Sequence, residues 1–165
     1  MFDFSEDDQF KPTAMQNAFK VSNTSEAVIK LWLESRGWTL TAYTDKNDQL
    51  TKGDYLGVHP VKGTKNIELK AEQKDKHGNL FIESWSNADV TRGWFFNLSQ
   101  CDTLLYHFLD DKTCYVINME KLRQFPVDAY PEKSQCAYQQ KNTTLGWCVP
   151  SQALIDAGVA GKYRW

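Results

Sequence analysis

The sequence has no apolar run approaching the ~18 residues that span a bilayer. It also has no basic-then-apolar leader, since its first ten residues, MFDFSEDDQF, are acidic. A membrane partner is therefore not expected. Cysteine is sparse: Cys101, Cys114, Cys136 and Cys148 are separated by 13, 22 and 12 residues, which matches no paired C-x-x-C zinc pattern. With no leader ahead of them they read as buried thiols of a reduced, cytoplasmic protein. His59, His77 and His107 stand far apart, so a histidine–zinc site is not expected. The nine glycines are dispersed, and neither G-x-G-x-x-G nor a P-loop occurs. No serine, cysteine and histidine grouping suggests acyl transfer. Net charge is only −2, so any nucleic-acid site must be a local basic patch.

What remains is an ordinary globular composition. The 165 residues, 41% hydrophobic and 24% charged, suit one domain over 1–165 with its own core. Aromatics reach 13% with six tryptophans, which suits a dense core or stacking platforms. Residues 1–22 have little periodicity and read as a leading arm. A helix is expected from about Thr24 to Arg36, with Val28, Leu31, Trp32 and Ser35 on one face. Asn23 and Glu26 fit a capping box, and Gly37 ends the helix. Strands follow over 38–43, 54–58 and 66–73, with a loop from Thr44 to Asp54. The segment 66–84 reads as a hairpin turning at His77, Gly78 and Asn79. TLLYHFL and CYVIN form a second hairpin, MEKLRQF a helix, and the tail after 126 is irregular. The sum is a mixed α/β architecture.

One strand is unusual. Within NIELKAEQK, period two puts Glu68, Lys70 and Glu72 on one face and Ile67, Leu69 and Ala71 on the other. Asp54 lies 14 residues upstream of Glu68, just after Gly53, so adjacent strands would bring the two acids together. Two converging carboxylates suit a hard divalent ion, and the backbone carbonyl of Leu69 can reach the same ion. A lysine beside them can orient or deprotonate a water, or brace a developing oxyanion. The plainer alternative is a solvent-facing strand with cross-strand ion pairs.

Asp54 in KGDYLG, with Glu68 and Lys70 in IELKAE, resembles the PD-(D/E)XK nuclease superfamily. The likeness covers roughly residues 24–125 and leaves 126–165 as a C-terminal extension. It implies a restriction-endonuclease-like α/β fold, a mixed central sheet flanked by helices: a leading helix, a motif-bearing meander, then a crossover to a further strand. It implies a Mg²⁺-dependent nuclease, with Mn²⁺ able to substitute. Asp54 and Glu68 would hold the ion with Leu69, Lys70 would assist the attacking water, and Glu26 of the leading helix would complete the shell. Gly53 stands where the family motif has Pro. A finer likeness is to small phage or mobile-element members, which would place the protein in a host cell's cytoplasm.

Lys62, Lys65, Lys74 and Lys76 are the expected phosphate contacts, with DNA favoured over RNA as partner. So small a chain suggests shape- or end-directed cutting, or a homodimer spanning a duplex. The alternative is a non-catalytic nucleic-acid-binding or inhibitor protein on the same fold. An aromatic-rich carbohydrate-binding domain would use the tryptophans but leaves Glu68 and Lys70 unexplained. Glu72 reads as a solvent-facing charge. Glu83 could face Glu68 or pair with a hairpin lysine. Gln73 reads as a structural hydrogen-bonder, Ser99 and Asp102 as turn residues, and His107 as a core histidine.

Overall fold

The computed structural model describes residues 21–136 and 143–165, so most of the expected leading arm lies outside the described residues. Helix α1 (Val21–Glu34) opens the described chain. Gly37 stops it: at φ +86° the chain turns, and Trp38 N–H donates back to Leu33 O at 3.1 Å. The expected capping box is not there. Asn23 lies within the helix, and the Glu26 carboxylate accepts from the Tyr55 hydroxyl.

Strands β1 (Thr39–Ala42), β2 (Tyr55–His59) and β3 (Gly63–Glu72) form an antiparallel meander. The 44–54 loop contains a short helix, α2 (Lys46–Thr51). Asp45 caps it by accepting from Asn47 N and Asp48 N at 2.9 and 3.0 Å. After β3 the chain departs from expectation. Strand β4 (Asn79–Asn87) does not pair with β3. It enters a second sheet with β5 (Thr91–Arg92), and after helix α3 (Trp94–Asn97) the chain returns to the first sheet. There β6 (Thr103–Phe108) lies parallel to β3, and β7 (Thr113–Asn118) completes the expected second hairpin. Helix α4 (Met119–Gln124) follows, capped by Asn118.

The tail is not irregular. It supplies β8 (Glu132–Cys136), β9 (Thr143–Pro150), helix α5 (Ser151–Asp156) and β10 (Ala160–Arg164). The result is a mixed six-stranded sheet, β1-β2-β3-β6-β7-β10, and an antiparallel four-stranded sheet, β5-β4-β9-β8. The mixed sheet is flanked by helices, so the α/β expectation holds at that level.

Strands β6 and β7 sit centrally and are buried almost throughout, as strands covered on both faces should be. Leu104, Tyr106 and Phe108 face Leu80 and Ile82 of β4 in one core. Leu105, with Ile67, faces Ile29, Trp32 and Leu33 of α1 in the other. Cys101 and Cys114 are buried free thiols, and Cys148 is a partly exposed one. No helix among the described residues is long and apolar enough to cross a membrane.

His107 sits on the α1 side. Its Nδ1 is 2.7 Å from Ser25 Oγ, and its ring lies 5.2 Å from that of Trp165. Nε2 has no hydrogen-bond partner among the described residues. Burial pushes the imidazole down to about 4. The unfolded chain therefore binds a proton that the fold refuses between about pH 6.5 and 4, and stability drains away as pH falls through that window. His107→Gln keeps an acceptor for Ser25 and removes the ionisation. Urea unfolding should show the wild type losing up to about 3 kcal/mol against this variant from pH 7 to pH 4. A difference that does not change with pH would show that His107 titrates alike in the folded and unfolded chains.

Candidate active site

The site begins with Gly53. Its φ of +110° is a left-handed value, and a Cβ there would stand 2.7 Å from Ile67 O. Only glycine tolerates both the conformation and the approach. Neither the αR-free geometry of an ordinary residue nor proline's fixed φ fits, which gives the Gly–Asp pair a physical reason. The tight turn lays Asp54 against β3. Asp54 N–H donates to Ile67 O, and Tyr43 N–H donates to Asp54 O, both at 2.9 Å. Then β2 hands over to a side chain: Asp54 Oδ2 accepts the N–H of Leu69 at 2.9 Å.

Alternation along β3 places the remaining groups. The carbonyls of Asn66 and Glu72 face β6, accepting from Asp102 N and Leu109 N, while that of Ile67 faces β2. Leu69 C=O shares the direction of Ile67 C=O, so it projects past the end of β2 on the Asp54 side. The side chains of Glu68, Lys70 and Glu72 share the face of Leu104, Tyr106 and Phe108, between the two sheets.

Glu68 is only 7% exposed. Its carboxyl is in hydrogen-bond contact with that of Asp54, and Lys70 Nζ lies 2.6 Å from its Oε1. Burial is the main cause that raises its pKa to about 7; Lys70 pulls the other way and the adjacent Asp54 adds to the rise. Two carboxyls this close do not both ionise cheaply, which favours keeping the proton on Glu68. A divalent cation can take that proton's place. Beneath them the Cys101 thiol is pushed up to about 12 by burial and by the Glu68 charge, which leaves it un-ionised at neutral pH.

The structure therefore brings together Asp54, Glu68, Lys70 and the Leu69 carbonyl. It does not bring Glu26 to them. That carboxylate sits on the α1 side of the sheet, on the phenol of Tyr55, whose pKa is raised by burial and then by Glu26. Among the described residues no third His, Cys, Asp or Glu joins the two acids in a group that could hold a metal ion. Glu72 is not a free surface charge, since it accepts from the Tyr106 hydroxyl. Glu83 belongs to the other sheet and accepts from Trp94 N at 3.2 Å. Both line a cleft of about 300 Å³ with Lys70, Phe81, Trp94 and Tyr106. Gln73 does make a structural bond, to Asp110, and Asp102 Oδ2 accepts from Asn66 N at 2.7 Å.

The four phosphate-contact lysines do not form one patch. Lys62 and Lys65 lie at the start of β3, while Lys74 and Lys76 follow its end, with roughly 20 Å of extended strand between. Lys74 and Lys76 instead share a cleft with Lys133 of β8. Nothing in the local sequence marked Lys133, because only the pairing of β8 with β9 carries it there.

Glu68→Gln removes the Glu68 ionisation. At pH 4 the acid is neutral in both folded and unfolded chains, so the variant gains nothing. From pH 4.5 upward the folded wild type holds a proton that the unfolded chain releases, and its stability falls until about pH 7. Melts in chelator should therefore show the variant gaining on wild type by up to about 3 kcal/mol from pH 4 to pH 8. A constant offset would mean that Glu68 ionises normally. No protein-family model matches the chain, and no curated protein matches its sequence.

Proposed function

We propose that the protein is a metal-dependent nuclease that hydrolyses phosphodiester bonds in nucleic acid, on a restriction-endonuclease-like core. The observation that carries this reading is the meeting of Asp54, Glu68 and Lys70 at one buried spot. The order of elements supports it as well: a leading helix, an antiparallel meander bearing the acids, and a crossover to a strand parallel to β3.

The donor set fits Mg²⁺, or Mn²⁺ in its place. Two carboxylates and a carbonyl are hard oxygen ligands, and Mg²⁺ is commonly held by one or two carboxylates with waters completing its shell. Asp54, Glu68 and Leu69 O would hold the ion. When bound, it acidifies water and offsets charge building on the phosphodiester.

The chain's own residues do the rest. Leu69 N–H fixes the Asp54 carboxylate, so the acid is oriented before any ligand arrives. Glu68 would have to give up its proton to serve as a ligand. Lys70, which holds Glu68 at 2.6 Å, would then direct its ammonium at the attacking water or at a non-bridging phosphate oxygen. The water oxygen bonds to phosphorus as the bridging P–O bond breaks, and the proton the water loses is made up on the departing oxygen. Glu68 itself is buried, which limits its contact with bulk water.

A second reading is a non-catalytic nucleic-acid-binding or inhibitor protein on the same core, which the absence of a third acid among the described residues favours. Labelled oligonucleotides incubated with Mg²⁺, Mn²⁺ or chelator separate the two. The nuclease reading expects metal-dependent cleavage that Glu68→Gln and Lys70→Ala each reduce at least about 100-fold with the fold retained. Cleavage that survives both substitutions would remove these residues from the chemistry.

A further inference from the structure

The cleft beside Lys70 is not isolated. A second cleft of about 730 Å³ adjoins it, and the two share Glu72 and Phe81 as lining residues. Together they run along the β3 face from the candidate site to the strand's end and across to β8. Lys74, Lys76 and Lys133 stand around the larger cleft, over an aromatic floor of Phe81 and Phe108.

The three lysines of the larger cleft outnumber its two acids, Glu72 and Asp75. Glu72 is engaged by the Tyr106 hydroxyl, and Asp75 Oδ1 accepts from Gly78 N at 2.7 Å and His77 N at 3.3 Å. Among the described residues Lys74, Lys76 and Lys133 have no ion-pair partner. Three unpaired ammonium groups around one concave surface suit a run of phosphates. Lys74 lies two residues past the end of β3, four residues on from Lys70.

Access decides which nucleic acid fits. Glu68 faces the space between the two sheets, and the cleft beside its neighbour Lys70 is at the lower limit of volume for a single small ligand. A stiff duplex presents its phosphates on the outside of a broad cylinder, whereas this cleft is narrow and walled by Trp94, Phe81 and Tyr106. A flexible strand can thread such a cleft one nucleotide at a time, and a groove combining lysines with aromatic rings is how single strands are held without sequence readout.

Resting on the nuclease reading, we infer that the substrate is single-stranded nucleic acid, held by Lys74, Lys76 and Lys133 while one nucleotide enters beside Lys70. The lysines are exposed, so their replacement leaves the core intact.

The test uses the full chain carrying Glu68→Gln, so that binding is read without turnover. Anisotropy of a labelled single-stranded DNA and of the same sequence as a blunt duplex gives the preference. The single strand should bind at least tenfold tighter. Adding Lys74→Ala, Lys76→Ala and Lys133→Ala should weaken it at least tenfold and flatten the slope of log K against log salt by roughly two. Wild type is then given single-stranded and closed duplex circles with Mg²⁺ or Mn²⁺. Equal binding and cutting of duplex would overturn the inference and leave the nuclease reading standing. A single strand bound through these lysines but never cut would support the cleft and remove the nuclease reading. Retention of neither nucleic acid would overturn both.

Discussion

One hydrogen bond organises the site: the N–H of Leu69 donated to the carboxylate of Asp54. Where β2 ends, the β3 ladder would otherwise expose a bare donor. Asp54 fills that place with a side chain, so its position is set by the sheet and not by a mobile loop. The same bond holds it against Glu68, the next residue back along β3. Gly53 is the condition for this, because any Cβ there would strike the Ile67 carbonyl. Substrate-independent orientation of this kind is what a catalytic carboxylate requires.

The mixed sheet carries opposed ionisation behaviour on its two faces. On the inter-sheet face, burial and Asp54 keep Glu68 protonated near neutrality. On the α1 face, burial keeps His107 neutral well into acid. Between about pH 4.5 and 6.5 the first makes acid stabilising and the second makes it destabilising. The two effects offset in the fold's stability. His107 is accounted for by packing on Ser25 and Trp165, whereas the Glu68 carboxyl is buried beside a second acid and Lys70 offsets that only in part. That contrast is why the site, and not the histidine, reads as functional.

Much of this was legible in the sequence. Alternation in NIELKAE placed Glu68 and Lys70 on one face, and the Gly–Asp pair marked the start of the neighbouring strand. Gly37 and the 103–118 hairpin also came through, because each is written in local turn chemistry and periodicity. Pairing between distant segments did not. The turn at 75–79 looks the same whether β4 returns to β3 or leaves for another sheet, so Glu83 could not be placed. Strands β8 and β10 are polar or edge strands with weak alternation, so the tail looked patternless and Lys133 was invisible. The S/T/N-rich start of α1 imitates a cap although the helix begins earlier, which gave Glu26 a wrong local role. The lysines of 62–76 are close in sequence, but extended strand drives them to opposite ends.

The central claim is that Asp54 and Glu68 form one cation site from which a proton must leave. Titrating Mn²⁺ into the protein at pH 6.5 by calorimetry, in two buffers of different ionisation enthalpy, measures that proton. The account predicts release of most of one proton per cation bound, with both binding and release lost in Glu68→Gln. Cation binding with no proton released, or undiminished in the variant, would contradict it.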